Sequence, residues 1–110
     1  MVRFPKPGTP VRGSTTGRPI MALLDLLGRR WTLRIVWELR QGRRSFRDLR
    51  TACDAVSPTV LNQRLKELRE ARLVELSEEE GYGLTGLGRE LLDRFSPLVV
   101  WAERWGRAVR

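Results

Sequence analysis

Residues 57–70 read Ser57-Pro58-Thr59-Val60-Leu61-Asn62-Gln63-Arg64-Leu65-Lys66-Glu67-Leu68-Arg69-Glu70, and they predict one helix with a hard start. Ser57 can accept from the free backbone N–H groups of the first turn, and Pro58 suits the first helical position, where its missing N–H costs nothing. Leu61, Leu65 and Leu68 recur at helical spacing and define a buried stripe. The opposite face carries Thr59, Asn62, Gln63 and Lys66, with Arg69 further along. Side chains of this reach can read base edges or grip phosphate, so the stretch is a candidate for the major groove of DNA. Taken alone it reads sooner as an ordinary amphipathic surface helix. Its surroundings shift the balance.

Upstream, Ser45-Phe46-Arg47-Asp48 has the form of a capping box, with an acid three residues after the cap. It opens a short helix that points Phe46, Leu49 and Ala52 inward, and residues 54–56 link it tightly to Ser57. Two short helices joined in this way, the second capped and polar on one face, form a helix-turn-helix. Arg43, Arg44 and Arg47 stand at its entrance, where phosphates would pass. Downstream, residues 73–76 and 82–84 read as two short strands around the turn Ser77-Glu78-Glu79-Glu80-Gly81. A helix-turn-helix followed by a β-hairpin is a winged helix. The expected fold is therefore mainly α with a small β-hairpin (α+β).

The flanks supply further helices. Pro19 starts one that runs to Leu27, with Gly28 at its end, and Ile20, Met21, Leu23, Leu24, Leu26 and Leu27 make it apolar nearly all round. A surface helix of a small domain needs only one apolar stripe, so a second subunit is the natural source of the other cover. Residues 31–40 predict the central core helix, with Trp31 and Trp37 as core filling and Arg34 and Glu38 as an exposed i, i+4 pair. Thr85 caps the last helical region, which sets Leu87, Leu91, Leu92 and Phe95 on one face. Ser96-Pro97 either kinks it or caps a new segment with Leu98, Val99, Trp101, Ala102 and Trp105. Helices at about 19–28 and 86–106 are thus candidates for dimerisation, through Ile20, Leu23, Leu24, Leu27, Leu98, Trp101 and Trp105.

Composition narrows the function. The 110 residues carry a formal charge of +8, enough for one domain and favourable to a polyanionic partner. The charge is segregated: residues 29–50 hold eight arginines against Glu38 and Asp48, whereas residues 73–83 hold four glutamates and no base. The chain has no histidine and one cysteine, so a zinc site or a histidine-based triad has almost nothing to be built from. An enzyme is the least favoured class, and neither metal nor cofactor is expected. Lacking an apolar signal core or a membrane-span-length run, the chain reads as cytoplasmic and not membrane-bound. Residues 1–18 hold three prolines, three glycines and four basic residues, and read as a flexible basic arm ahead of a domain at 19–110. Such an arm can lie along DNA or remain a tail.

In sum, the chain resembles the HxlR-type winged-helix regulators of bacteria. The matching pieces run in order: Leu27-Gly28-Arg29-Arg30-Trp31-Thr32 with Trp37-Glu38-Leu39; Ser45-Phe46-Arg47-Asp48-Leu49; Val56-Ser57-Pro58-Thr59-Val60-Leu61 with Gln63 and Leu65; Glu67-Leu68 and Leu73-Val74-Glu75; Leu84-Thr85-Gly86-Leu87-Gly88-Arg89 with Leu91-Leu92; and Trp105-Gly106. The resemblance implies a homodimer that regulates transcription, more often as a repressor, at a roughly palindromic site on double-stranded DNA. It implies base or backbone contacts from Ser57, Thr59, Asn62, Gln63 and Lys66, with Arg43, Arg44 and Arg47 on phosphates. A small-molecule effector is compatible with it, but no residue pattern identifies one. Two departures stand out. The wing is short and carries Glu78, Glu79 and Glu80, which phosphate would repel. Many relatives have a cysteine just before the first helix, whereas this neighbourhood reads Gly17-Arg18-Pro19. Cys53, the only thiol, reads sooner as a small core residue than as a redox sensor. Two other classes are weighed against regulation: an RNA- or ribosome-associated basic protein, and a winged-helix module for protein contact that uses its acidic hairpin.

Overall fold

A computed structural model describes residues 4–11 and 13–110. Its elements follow in the order α1 (Pro19–Leu27), α2 (Thr32–Glu38), α3 (Phe46–Ala52), α4 (Pro58–Glu70), β1 (Val74–Ser77), β2 (Gly81–Leu84), α5 (Gly86–Phe95) and α6 (Pro97–Ala108). Mainly α with one hairpin, this is the winged helix-turn-helix expected from the sequence.

Local chemistry sets most boundaries. Ser45, Ser57 and Thr85 each accept through the side chain from the backbone N–H three residues on, at 3.0, 3.1 and 3.0 Å. Each satisfies one of the donors a helix start leaves unpaired. α2 is shorter than the periodicity over 31–40 predicts, because Trp31 is its N-cap and adopts a left-handed φ of 78°. A bulky residue rarely takes that conformation, so sequence alone extends the helix by a residue at this end, and at the other end Leu39 is the C-cap and Arg40 lies in the turn beyond. At Ser96 the choice between kink and cap resolves as a junction without a cap. Ser96 stays helical, makes no side-chain cap to α6, and donates its hydroxyl to the Leu92 carbonyl. Pro97 then begins α6.

α2 is the hub, packing on α1, α3 and α5. Ile35 from α2 and Leu39 at its C-cap, Leu49 from α3, and Leu61, Leu65 and Leu68 from α4 form the fully enclosed centre. Each such side chain contributes about 1.5–3 kcal/mol by leaving water. Leu92 closes the cluster from α5, but Leu87, expected on the same face, is 55% exposed. Ahead of α1, Phe4 packs against the core. The chain then turns back on itself through Gly8 N–H to the Gly17 carbonyl at 2.9 Å and a reciprocal pair between Val11 and Ser14.

β1 and β2 pair antiparallel, with Val74 opposite Leu84 and Ser77 opposite Gly81. The linker before α3 joins them. Arg44 N–H donates to the Tyr82 carbonyl at 2.9 Å, and Tyr82 N–H donates to the Arg44 carbonyl at 2.8 Å. The wing is therefore tied to the entrance of the helix-turn-helix by a one-residue third strand.

Candidate nucleic-acid interface

α4 divides as its sequence predicts. Leu61, Leu65 and Leu68 are buried, while Ser57, Thr59, Asn62, Lys66 and Arg69 are exposed. Thr59, Asn62, Lys66 and Arg69 follow helical spacing and share one outer face. Gln63 differs: it is half-buried and lines a cleft with Asp25, Arg29, Arg64 and Glu67. Arg47 is exposed on the first turn of α3.

The turn that sets α3 against α4 is built from backbone strain and arginine bracing. Asp54 and Ala55 both take left-handed φ, 57° and 58°. Arg50 Nε donates to the Val56 carbonyl at 2.9 Å, and Arg34 Nη2 donates to the Ala52 carbonyl at 2.7 Å. Arg34 also pairs with Glu38 at 2.8 Å, so the i, i+4 pair expected on α2 reaches across to hold the end of α3.

A second set of contacts fixes α4 from behind, and sequence reasoning missed it. Glu67 is 1% exposed. Its carboxylate meets the Arg29 guanidinium on one side and Arg64 Nη1 at 3.2 Å on the other. Arg64 Nε donates to the Arg30 carbonyl at 2.8 Å, and Arg29 also pairs with Asp25 of α1 at 3.6 Å. The signal was faint: Glu67 falls between Leu65 and Leu68, on the flank of the apolar stripe.

The entrance arginines do not all point outward. Arg43 Nη2 pairs with Glu75 at 2.8 Å, its Nε lies 3.4 Å from Glu80, and its Nη1 donates to the Gly81 carbonyl at 3.1 Å. Arg44 Nε donates to the Glu38 carbonyl at 2.9 Å, and Arg44 Nη2 lies 3.9 Å from the Glu38 carboxylate. The structure thus brings Arg43 to the wing and Arg44 to α2, and leaves Arg47 open. Pairs as exposed as those of Arg43 are worth less than about 1 kcal/mol each.

Two faces lie away from this surface. On α1, Ile20 and Leu24 are 48% and 55% exposed, with Leu23 and Leu27 half-buried; on α6, Leu98, Trp101 and Trp105 are 46%, 54% and 55% exposed. The Trp101 and Trp105 rings stack with centroids 6.2 Å apart. A mainly apolar cleft of about 310 Å³ opens between α2 and α5, walled by Leu33, Val36, Trp37, Leu91, Leu92 and Phe95, with Arg34 at its side. Cys53 is 0% exposed in the core, and burial pushes its thiol pKa up despite Arg34 nearby. That is the opposite of an activated thiolate.

Residues 26–110 match the HxlR-like helix-turn-helix family. The chain belongs to that family. An HTH-type transcriptional regulator of Methanocaldococcus jannaschii is 29% identical over 92 residues, covering 80% of this chain and 86% of that protein. The HTH-type transcriptional regulator YodB of Bacillus subtilis is 30% identical over 99 residues, covering 84% and 88%. The crystal structure of quinone-bound YodB superposes with a TM-score of 0.71 over 77% of this chain and 96% of that one, at 30% identity. A Thermoplasma volcanium protein described as a possible HxlR family transcriptional factor gives 0.70 at 32% identity, over 81% and 85%. This HxlR-like chain is a transcriptional regulator with a DNA-binding helix-turn-helix. Among its described residues no helix is long and apolar enough to cross a membrane.

Proposed function

We propose that this HxlR-like regulator acts as a homodimer on a roughly palindromic operator, as a repressor, with α4 in the major groove. The observation that carries the reading is the division of α4. Its inner face is locked into the core, and its outer face offers Thr59, Asn62 and Lys66 unobstructed. Ser57 and Thr59, at the N-terminal end, lie where a recognition helix meets phosphate and base edges. Gln63 reaches DNA from the cleft edge, and Arg47 grips phosphate. Arg43 and Arg44 join only after releasing their present partners.

Two-fold pairing is supported by the apolar faces of α1 and α6, which remain about half-exposed among the described residues. Paired subunits would place two α4 helices in successive major grooves, about 34 Å apart. YodB has been crystallised with a quinone. In the present chain an uncharged effector would find its place in the apolar cleft between α2 and α5, since Cys53 is sealed from solvent.

The test is a fluorescence-anisotropy titration against duplex from upstream of the chain's own gene and a shuffled duplex. Asn62→Ala is expected to weaken binding to the cognate duplex by about 1–3 kcal/mol and barely alter the shuffled one. Arg47→Ala should weaken both alike and lower the salt slope by about one unit. Identical behaviour of the two variants on both duplexes would refute the division of roles. Preference for structured RNA, or no nucleic-acid binding at low salt, would move the function to the RNA-associated or protein-contact class.

A further inference from the structure

We infer that Glu75 and Glu80 serve as an internal stand-in for DNA phosphate at Arg43, restraining the regulator's sequence-blind affinity. The inference rests on the DNA-binding reading and goes beyond it. Arg43 stands two residues before the cap of α3, among the basic residues that face incoming DNA. Yet all three guanidinium nitrogens are engaged by the wing: Nη2 by Glu75, Nε by Glu80 and Nη1 by the Gly81 carbonyl, at 2.8, 3.4 and 3.1 Å. One positive charge therefore meets two negative ones, and the spot as a whole repels phosphate.

The arrangement is built into the fold. A Cβ at Gly83 would lie 2.8 Å from Arg43 Cγ, so only glycine lets the arginine stem lie flat across β2. A Cβ at Gly81 would lie 2.5 Å from the Arg44 carbonyl oxygen, and Gly81 takes a φ of +81°. The reciprocal backbone pairing of Arg44 with Tyr82 holds the next residue in place. Glu75 and Glu80 are tethered on the hairpin, so a DNA phosphate must compete with carboxylates always at hand. Both are largely exposed, with side chains 53% and 69% accessible, so the contact is reversible and screened by salt. The device sets a level and does not lock.

Full-length protein would be titrated against a labelled random-sequence duplex between about 50 and 200 mM salt. The variants are Glu75→Gln with Glu80→Gln, Glu80→Gln alone, Arg43→Ala, and Arg43→Ala combined with the glutamine pair. Glu78→Gln with Glu79→Gln is the control, because it changes the formal charge equally at residues other than the Glu75, Glu80 and Gly81 that engage Arg43. The glutamine pair at 75 and 80 is expected to tighten binding about threefold and to steepen the salt slope by about 0.9, the signature of one added phosphate contact. Glu80→Gln alone should give part of the gain, and Arg43→Ala should abolish it. The control pair should give a smaller gain that survives Arg43→Ala. Equal gains from the two pairs, or a gain at 75 and 80 that persists without Arg43, would overturn the inference. A wild type that binds duplex without responding to these substitutions would also overturn it, while leaving the DNA-binding reading intact. No duplex binding by any variant at low salt would remove both.

Discussion

Ala55 shows how one residue can hold function and strain together. With Asp54 it takes a left-handed backbone to fold α3 sharply against α4, a conformation that costs an L-residue about 1–2 kcal/mol. Glycine adopts it freely but adds flexibility to the unfolded chain, which returns part of the gain. Ala55→Gly should therefore stabilise the protein by about 0.5–1 kcal/mol, seen in urea unfolding as a higher midpoint with an unchanged slope. A lower midpoint would show that the turn carries no such strain. Trp31 and Arg72 share the left-handed conformation, at φ of 78° and 62°. None of these positions carries the glycine or asparagine that would have advertised it.

Among the elements, α4 depends on more than its leucines. Glu67 is sealed between Arg29 and Arg64, which retain about a fifth of their side-chain exposure. Removing the carboxylate leaves Arg29 with Asp25 and Arg64 with the Arg30 carbonyl but takes away the buried charge that both guanidinium groups share, and Glu67→Ala should cost about 2–3 kcal/mol in chemical denaturation. A cost under about 0.5 kcal/mol would mark the cluster as ordinary surface charge. This cluster also shows what the sequence could and could not disclose. The caps at Ser45, Ser57 and Thr85, the proline start of α1 and the buried stripe of α4 were legible because each is decided within a few residues. Glu67 finds Arg29 across 38 positions, and Arg43 finds Glu75 across 32. Such pairings follow from tertiary packing, so exposed basic residues at 43 and 44 were the natural expectation. Helical spacing likewise turns Gln63 outward, yet the cleft beside Arg64 half encloses it.

For the whole molecule, the proposed homodimer would form through the exposed rows on α1 and α6. Ile20, Leu24, Leu98, Trp101 and Trp105 are each about half-exposed, more apolar surface than a small monomer ordinarily leaves wet. Trp101→Glu with Trp105→Glu should give a monomer in sedimentation velocity and reduce affinity for a palindromic duplex by at least tenfold, because only one half-site is then engaged at a time. The wild type should melt at higher temperature as its concentration rises, the mark of a folded state tied to association. A wild type that sediments as a monomer at micromolar concentration would exclude the homodimer.

The Asp25–Arg29–Glu67–Arg64 cluster also sets rules for re-engineering the regulator. Thr59, Asn62 and Lys66 can be exchanged for the reading residues of a relative without touching the core. A transplant of all of α4 must keep Glu67 and Arg64, or bring matching partners for Asp25 of α1 and for Arg29 in the turn that follows it. On the proposed DNA-binding reading, new preferences are thus to be sought by grafting three outward positions, while a helix swap that omits Glu67 should lower stability by about 2–3 kcal/mol.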